Sequence, residues 1–152
     1  MAVIVPFLIG VVAGLRTMTA PAAIAWAGWL GWLELAGTWA AFLASPWAVG
    51  ILSALALGEF VTDQLPSTPS RKVPVQLAGR VASGAFSGAA LGAAVDAPLL
   101  GFVAGAVGAV AGAYGGATAR ARMSAALSRP RPAALIEDAV AIVAGLALAA
   151  AL

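Results

Sequence analysis

The stretch LLGFVAGAVGAVAGAYGGATA, residues 99–119, decides how this chain folds. It holds no charged side chain and meets the about 20 apolar residues that a helix needs to cross a bilayer. Gly101, Gly105, Gly108, Gly112 and Gly116 recur within it at spacings of three and four, so they lie near one helix face. A row of that kind lets a second backbone approach closely.

Working upstream, Asp96-Ala97-Pro98 makes a tight turn, and residues 76–95 form another apolar segment with Gly84, Gly88 and Gly92 in register. Before it, the run Pro66 to Pro74 (with Pro69 between) breaks the chain, because proline removes a donor and clashes with the preceding helical turn. The segment before that opens at Ser45-Pro46, a cap followed by a proline at the first helical position, and runs to about Leu65. Downstream, a basic loop from Arg120 to Pro132 leads into a last segment, residues 133–152. The two N-terminal segments, Ala2 to Leu15 with Gly10 and Gly14, and Ala20-Pro21 to Leu33, are short. They read either as a tilted hairpin or as one helix broken at the Arg16–Pro21 bend with re-entrant character. Residues 37–44 form a linker bearing Trp39 and Phe42. The expected fold is all-α: a polytopic transmembrane bundle of five or six short Gly/Ala-rich helices, in one domain over residues 1–152.

Composition agrees. The chain is 62% hydrophobic and 9% charged, with mean hydropathy +1.02. Soluble domains carry about 25% charged residues, so a soluble version of this chain would lack the polar residues to cover its surface. The absence of cysteine excludes disulfides and thiolate metal sites. The absence of histidine removes the commonest metal ligand and the usual general base. The pI near 9.9 accompanies a net charge of only +2, so the basic residues read as topology signals and not as a nucleic-acid surface. Met1 to Gly14 lacks the basic start of a signal peptide and reads as a retained first segment.

With six segments, Arg16, Arg71, Lys72, Arg80, Arg120, Arg122, Arg129 and Arg131 all fall on one side, which the positive-inside bias makes cytoplasmic. Glu34 and Asp96 fall on the other side, with both termini. Trp26, Trp29, Trp32, Trp39 and Trp47 reach the outer interface, where aromatic belts form.

Acidic groups within apolar segments are costly and mark candidate sites. Glu59 and Asp63, four apart, share a helix face near the cytoplasmic end of the third segment. Glu137 and Asp138 lie at the same depth in the first turns of the sixth, and Arg16, Arg80 and Arg120 arrive at that level too. Four readings follow. Glu59, Asp63, Glu137 and Asp138 supply hard oxygen ligands for a divalent cation such as Mg²⁺, Mn²⁺ or Ca²⁺. Crowded carboxylates also suit a proton relay. Arg16, Arg71 and Arg80 with the hydroxyls of Thr17, Thr19 and Ser70 suit an anion or lipid headgroup. The fourth is a salt-bridge network with a structural role alone, helped at Glu137 and Asp138 by the helix dipole. No GxSxG, HExxH or phosphate-binding loop is present, and an enzyme is not expected.

The chain resembles a bacterial membrane family catalogued as domain of unknown function 4126. The carrying stretches are residues 14–23 (GLRTMTAPAA), 45–48 (SPWA), Gly58-Glu59, Asp63, residues 65–71 (LPSTPSR), Gly79-Arg80 and Glu137-Asp138-Ala139. The resemblance implies a small polytopic inner-membrane protein and marks Arg16, the Glu59–Arg71 stretch and the Glu137-Asp138 pair as family-typical. It implies no reaction or substrate. The functional expectation is ion transport, of a divalent cation or of protons, through the carboxylate and arginine cluster. A non-transporting membrane scaffold stabilised by glycine zippers and an anionic-lipid-binding protein are the alternatives. Membrane lipid and further copies of the chain, meeting through glycine-lined faces, are the expected partners. No cofactor is expected beyond a divalent cation.

Overall fold

A computed structural model describes residues 1–63, 65, 73–128 and 130–151. Within them the chain is all-α, without a strand: α1 (Ile4–Leu15), α2 (Thr19–Trp29), a 3-10 turn (Trp39–Ala44), α3 (Pro46–Thr62), α4 (Pro74–Ala93), α5 (Pro98–Ala126) and α6 (Pro130–Ala149). The helix-start signal expected at Ser45-Pro46 operates, while α4 and α5, expected from residues 76 and 99, open slightly earlier, at Pro74 and Pro98. Ser45 caps α3 by accepting the Ala48 N–H at 3.2 Å, and α3, α4 and α5 each open on a proline, whose missing N–H is surplus there.

The helices depart from the sequence expectation in several places. The basic loop expected from Arg120 begins seven residues later, because the Ala-, Arg- and Met-rich run before Leu127 favours helix and prolongs α5 to Ala126. Arg120 and Arg122 therefore project from a helix. The sixth helix starts at Pro130 instead of Ala133. The third stops at Thr62 with Asp63 as its cap, which leaves it 17 residues. Among the described residues, two helices are long and apolar enough to cross a membrane: Pro98–Ala126 and Arg131–Ala149. α1 and α3 are apolar but shorter, and α4 is interrupted by Gln76 and Arg80.

Three helices pack at backbone distance. Gly88 of α4 faces Gly101 of α5, and Gly84 faces Gly105, so the two run antiparallel. Gly108 and Gly112 of α5 face Phe7 and Val11 of α1, so those two run parallel. The fit is tight enough that a methyl added at Gly88 would lie 2.9 Å from the Gly105 Cα, and one at Gly14 would lie 2.6 Å from the Ala113 nitrogen. Glycine is required at these positions because the neighbouring atoms are backbone and cannot turn aside.

α2 turns away from this layer. It packs against α3 and α6, while α1 stays on α4 and α5. Trp26 of α2 donates to Ser53 of α3, and Met18, just before α2, reaches Glu59, so α2 and α3 are antiparallel. α1 and α2 thus diverge from a tip at residues 16–18. Ile9, Ile24, Leu35, Leu43 and Leu91 are fully buried in the space between them. Large apolar side chains also cover the outside, among them Trp47 at 79% exposure and Leu99 at 74%.

Candidate functional site

A chain that reverses between two helices leaves the last carbonyls of the first and the first amides of the second without helical partners. Buried, each such group costs free energy unless something bonds it. At the α1–α2 tip, side chains from α3 and α4 do so. Glu59 spreads its carboxylate across two successive amides, Oε1 accepting from the Thr17 N–H and Oε2 from the Met18 N–H, both at 2.8 Å. Arg80 donates from Nη1 to the carbonyls of Gly14 at 3.0 Å and Leu15 at 2.8 Å. The Ser83 hydroxyl, one turn further along α4, donates to the Thr17 carbonyl. An anion therefore sits at the start of α2 and a cation at the end of α1, the arrangement that helix dipoles favour. The Arg80 Nη2 also lies 3.9 Å from Glu59 Oε1, which links the two clamps.

Arg16 itself projects from the tip in extended backbone conformation and is fully buried. Its Nη1 donates to Asp63 Oδ2 at 2.6 Å, and its Nη2 bonds Asp138 Oδ1. One guanidinium thus joins the end of α3 to α6. The Phe60 ring lies beneath it, 5.0 Å from the guanidinium carbon, within reach of a cation–π contact. Glu137, next to Asp138, faces the other way, with Oε2 3.8 Å from the Arg120 Nη1 of α5.

The structure brings together Arg16, Glu59, Asp63, Arg80 and Asp138, and places Glu137 beside them with Arg120. Thr17 takes part through its backbone and not its hydroxyl. The Thr19 hydroxyl is buried and has no partner among the described residues. Ser70 and Arg71 lie outside the described residues. Among those residues no group of three or more acidic side chains is placed to hold a metal ion. The reason is visible in the pairing: Asp63, Asp138 and Glu137 each face a guanidinium, and Glu59 faces two amides, so the carboxylates do not converge on one another. The helix-dipole account of Glu137 and Asp138 also needs correcting. With α6 starting at Pro130, its first turn holds no acidic residue, and the dipole acts only over about that turn.

Two roles escaped sequence reasoning. The sequence shows Arg80 and Glu59 as charges and not as caps of a chain reversal, and it does not mark Ser83 as a donor to the tip. The available signal was the position of Ser83 three residues after Arg80, which places both on one face of α4.

No curated protein and no solved structure matches the chain. The model of the family described as a domain of unknown function, DUF4126, matches residues 3–152, and the chain belongs to that family.

Proposed function

We propose that the chain is a polytopic protein of the bacterial inner membrane that moves protons, with Arg16, Asp63 and Asp138 as a protonation-sensitive latch. The observation that carries this reading is the bridge at the hairpin tip: one buried guanidinium shared by aspartates from two helices. Neutralising either aspartate weakens one arm of the bridge; loss of the Asp138 arm loosens α6 from the tip, whereas α3 stays held there through Glu59. The nearest other charged groups are Glu59 and Arg80, paired with each other across α3 and α4, and the Glu137–Arg120 pair beside Asp138, which faces away from the latch. Ionisable groups inside a membrane are rare, pair with one another and commonly line ion and proton paths.

Membrane placement is supported by the two long apolar helices and by the exposed apolar exterior. α1 has 12 residues and α2 has 11, about 18 and 16 Å of helix against a hydrocarbon core of about 30 Å. In this placement they form a re-entrant hairpin whose tip is sheltered by α3, α4 and α6, as irregular backbone at membrane depth requires. Asp96, in the turn between α4 and α5, is at the opposite end from Arg80, in keeping with a charge-sorted topology. The divalent-cation reading loses support because the carboxylates are already paired.

The test is proton flux into liposomes holding a pH-sensitive dye, driven by an imposed potential. Wild type should conduct, and Asp63→Asn and Asp138→Asn should each conduct much less while remaining folded. A folded wild-type protein that passes no protons would overturn the reading. The specific hydrogen bonds of Glu59 and Arg80 to the tip backbone favour a second reading, in which the cluster serves only as a structural clamp. That reading expects no flux in any variant and a loss of stability in all.

A further inference from the structure

From Ala97 to Ile136 the chain has no acidic residue, and its charges are Arg120, Arg122, Arg129 and Arg131. α5 carries the first two beyond the bilayer. Its 29 residues make about 43 Å of helix, against a hydrocarbon core of about 30 Å. With Pro98 at one edge of the core, the other edge falls near Ala117, so Arg120 and Arg122 stand about 5–8 Å outside it, at the depth of the headgroups. The two arginines differ in direction. Arg120 turns inward, its Nη1 3.8 Å from Glu137 of α6. Arg122 points about 200° further round the helix and is exposed, with no hydrogen bond or ion pair among the described residues.

Arg122 ends a continuous exposed stripe. Val103, Val107, Ala111, Gly115 and Thr118, at spacings of three and four, all lie open on that face of α5. In the membrane this stripe faces acyl chains, with no side chain at Gly115 and only a methyl at Ala111 to hold them off. Side chains on an α-helix lean toward its N-terminus. α5 leaves the bilayer at its C-terminal end, so Arg122 leans back toward the phosphates, above the surface that the acyl chains cover. Arg131 gives the contrast. It is exposed too, but it lies in the first turn of α6, which enters the bilayer from the same side at its N-terminal end, so Arg131 leans away from the phosphates.

We infer that Arg122 binds the phosphate of an anionic phospholipid in the leaflet on this side, whose acyl chains lie along the stripe from Thr118 to Ala111. The inference rests on the membrane placement proposed above, and not on proton movement. A guanidinium presents parallel N–H donors that match two phosphate oxygens, and its charge complements the anion. A choline headgroup carries its own cation beside the phosphate, so a headgroup without one is the better match. Free phosphate offers the same oxygens, but only a lipid also covers the stripe.

The chain has no cysteine, so Ala111→Cys supplies a single thiol on the stripe for a fluorophore. The labelled protein is reconstituted in phosphatidylcholine vesicles holding a minor fraction of lipid with a nitroxide midway along one acyl chain, which quenches on contact. The nitroxide lipid is either phosphatidylglycerol or phosphatidylcholine. Phosphatidylglycerol should quench with about fivefold higher relative affinity, the effect of one arginine at a lipid surface. Arg122→Gln should bring the two lipids level, whereas Arg131→Gln should keep most of the preference. Equal affinities without either substitution would overturn the inference. Equal losses in the two variants would overturn it too, by showing a diffuse surface charge in place of a contact. A preference displaced by inorganic phosphate more than by sodium chloride of the same ionic strength would show a free-phosphate site and also overturn it. Quenching by neither lipid refutes the membrane placement on which the inference rests, whereas quenching by both without preference refutes the Arg122 contact alone.

Discussion

Replacing Glu59 by glutamine changes one oxygen to an NH₂ group and removes a charge, with little change of shape. In the native tip both carboxylate oxygens accept from backbone, at 2.8 Å from Thr17 N–H and 2.8 Å from Met18 N–H. Glutamine keeps one acceptor, so one amide retains a bond, now uncharged. The other amide meets a donor and is left unpaired. A hydrogen bond to a charged group contributes about 1.5–3 kcal/mol, and an unsatisfied buried N–H costs about 1–3 kcal/mol. Because the Glu59 side chain is 12% exposed, water can relieve part of this, and a loss of about 3 kcal/mol is expected. That corresponds to more than about 100-fold in the population of an opened tip. Equilibrium unfolding in mixed micelles measures the global term. The chain has no cysteine, so Met18→Cys supplies a single thiol whose labelling rate reports local opening. Glu59→Gln should accelerate that labelling sharply. A stability loss below about 0.5 kcal/mol, the range of an ordinary surface substitution, together with unchanged labelling would show that Glu59 does not hold the tip.

Arg16→Ala strands two buried aspartates and should cost about 3–5 kcal/mol by thermal or denaturant unfolding, whereas Arg16→Ala combined with Asp63→Asn and Asp138→Asn should recover a measurable part of it. No recovery in the triple variant would mean the aspartates are not its partners. Gly88→Ala drives a methyl into the Gly101 backbone and should cost about 1–3 kcal/mol or more, while Gly115→Ala, with nothing within 4 Å, should gain about 0.5–1 kcal/mol from helix propensity. Equal melting temperatures for the two variants would contradict the close packing of α4 on α5. Ser83→Ala removes the donor to the Thr17 carbonyl and should cost about 1 kcal/mol, without altering the Arg80 contacts. If the Met18→Cys thiol labels no faster in that background, Ser83 is not part of the clamp.

How much of the site was legible in the sequence depends on what kind of partner each residue has. Charge sorting placed Arg16, Arg80 and Arg120 at one depth with Glu59, Asp63, Glu137 and Asp138, because helix direction alternates and each helix carries its charges near one end. The partners were not legible. Glu137 and Asp138 are adjacent in sequence, yet they reach Arg120 and Arg16 respectively, since neighbouring residues on a helix point about 100° apart. Glu59 and Arg80 bond to backbone, and backbone groups carry no residue-specific signal that a pattern of side chains could reveal.

The sequence by itself determined the all-α class, the helix start at Ser45-Pro46, and which faces of α1, α4 and α5 carry glycine. These follow from local chemistry: proline geometry, capping and the three-to-four spacing of small residues. Only the tertiary structure decided that the glycine rows are filled within the chain, α4 and α1 both closing on α5. It also decided that the Arg16–Met18 break is a reversal clamped by Glu59 and Arg80, and that α3 and α6 stand apart over α2. Those outcomes depend on which helix lies beside which, and that is settled by backbone approach and by the need to satisfy the orphaned peptide groups of the tip, a condition met by residues more than 40 positions away in the chain.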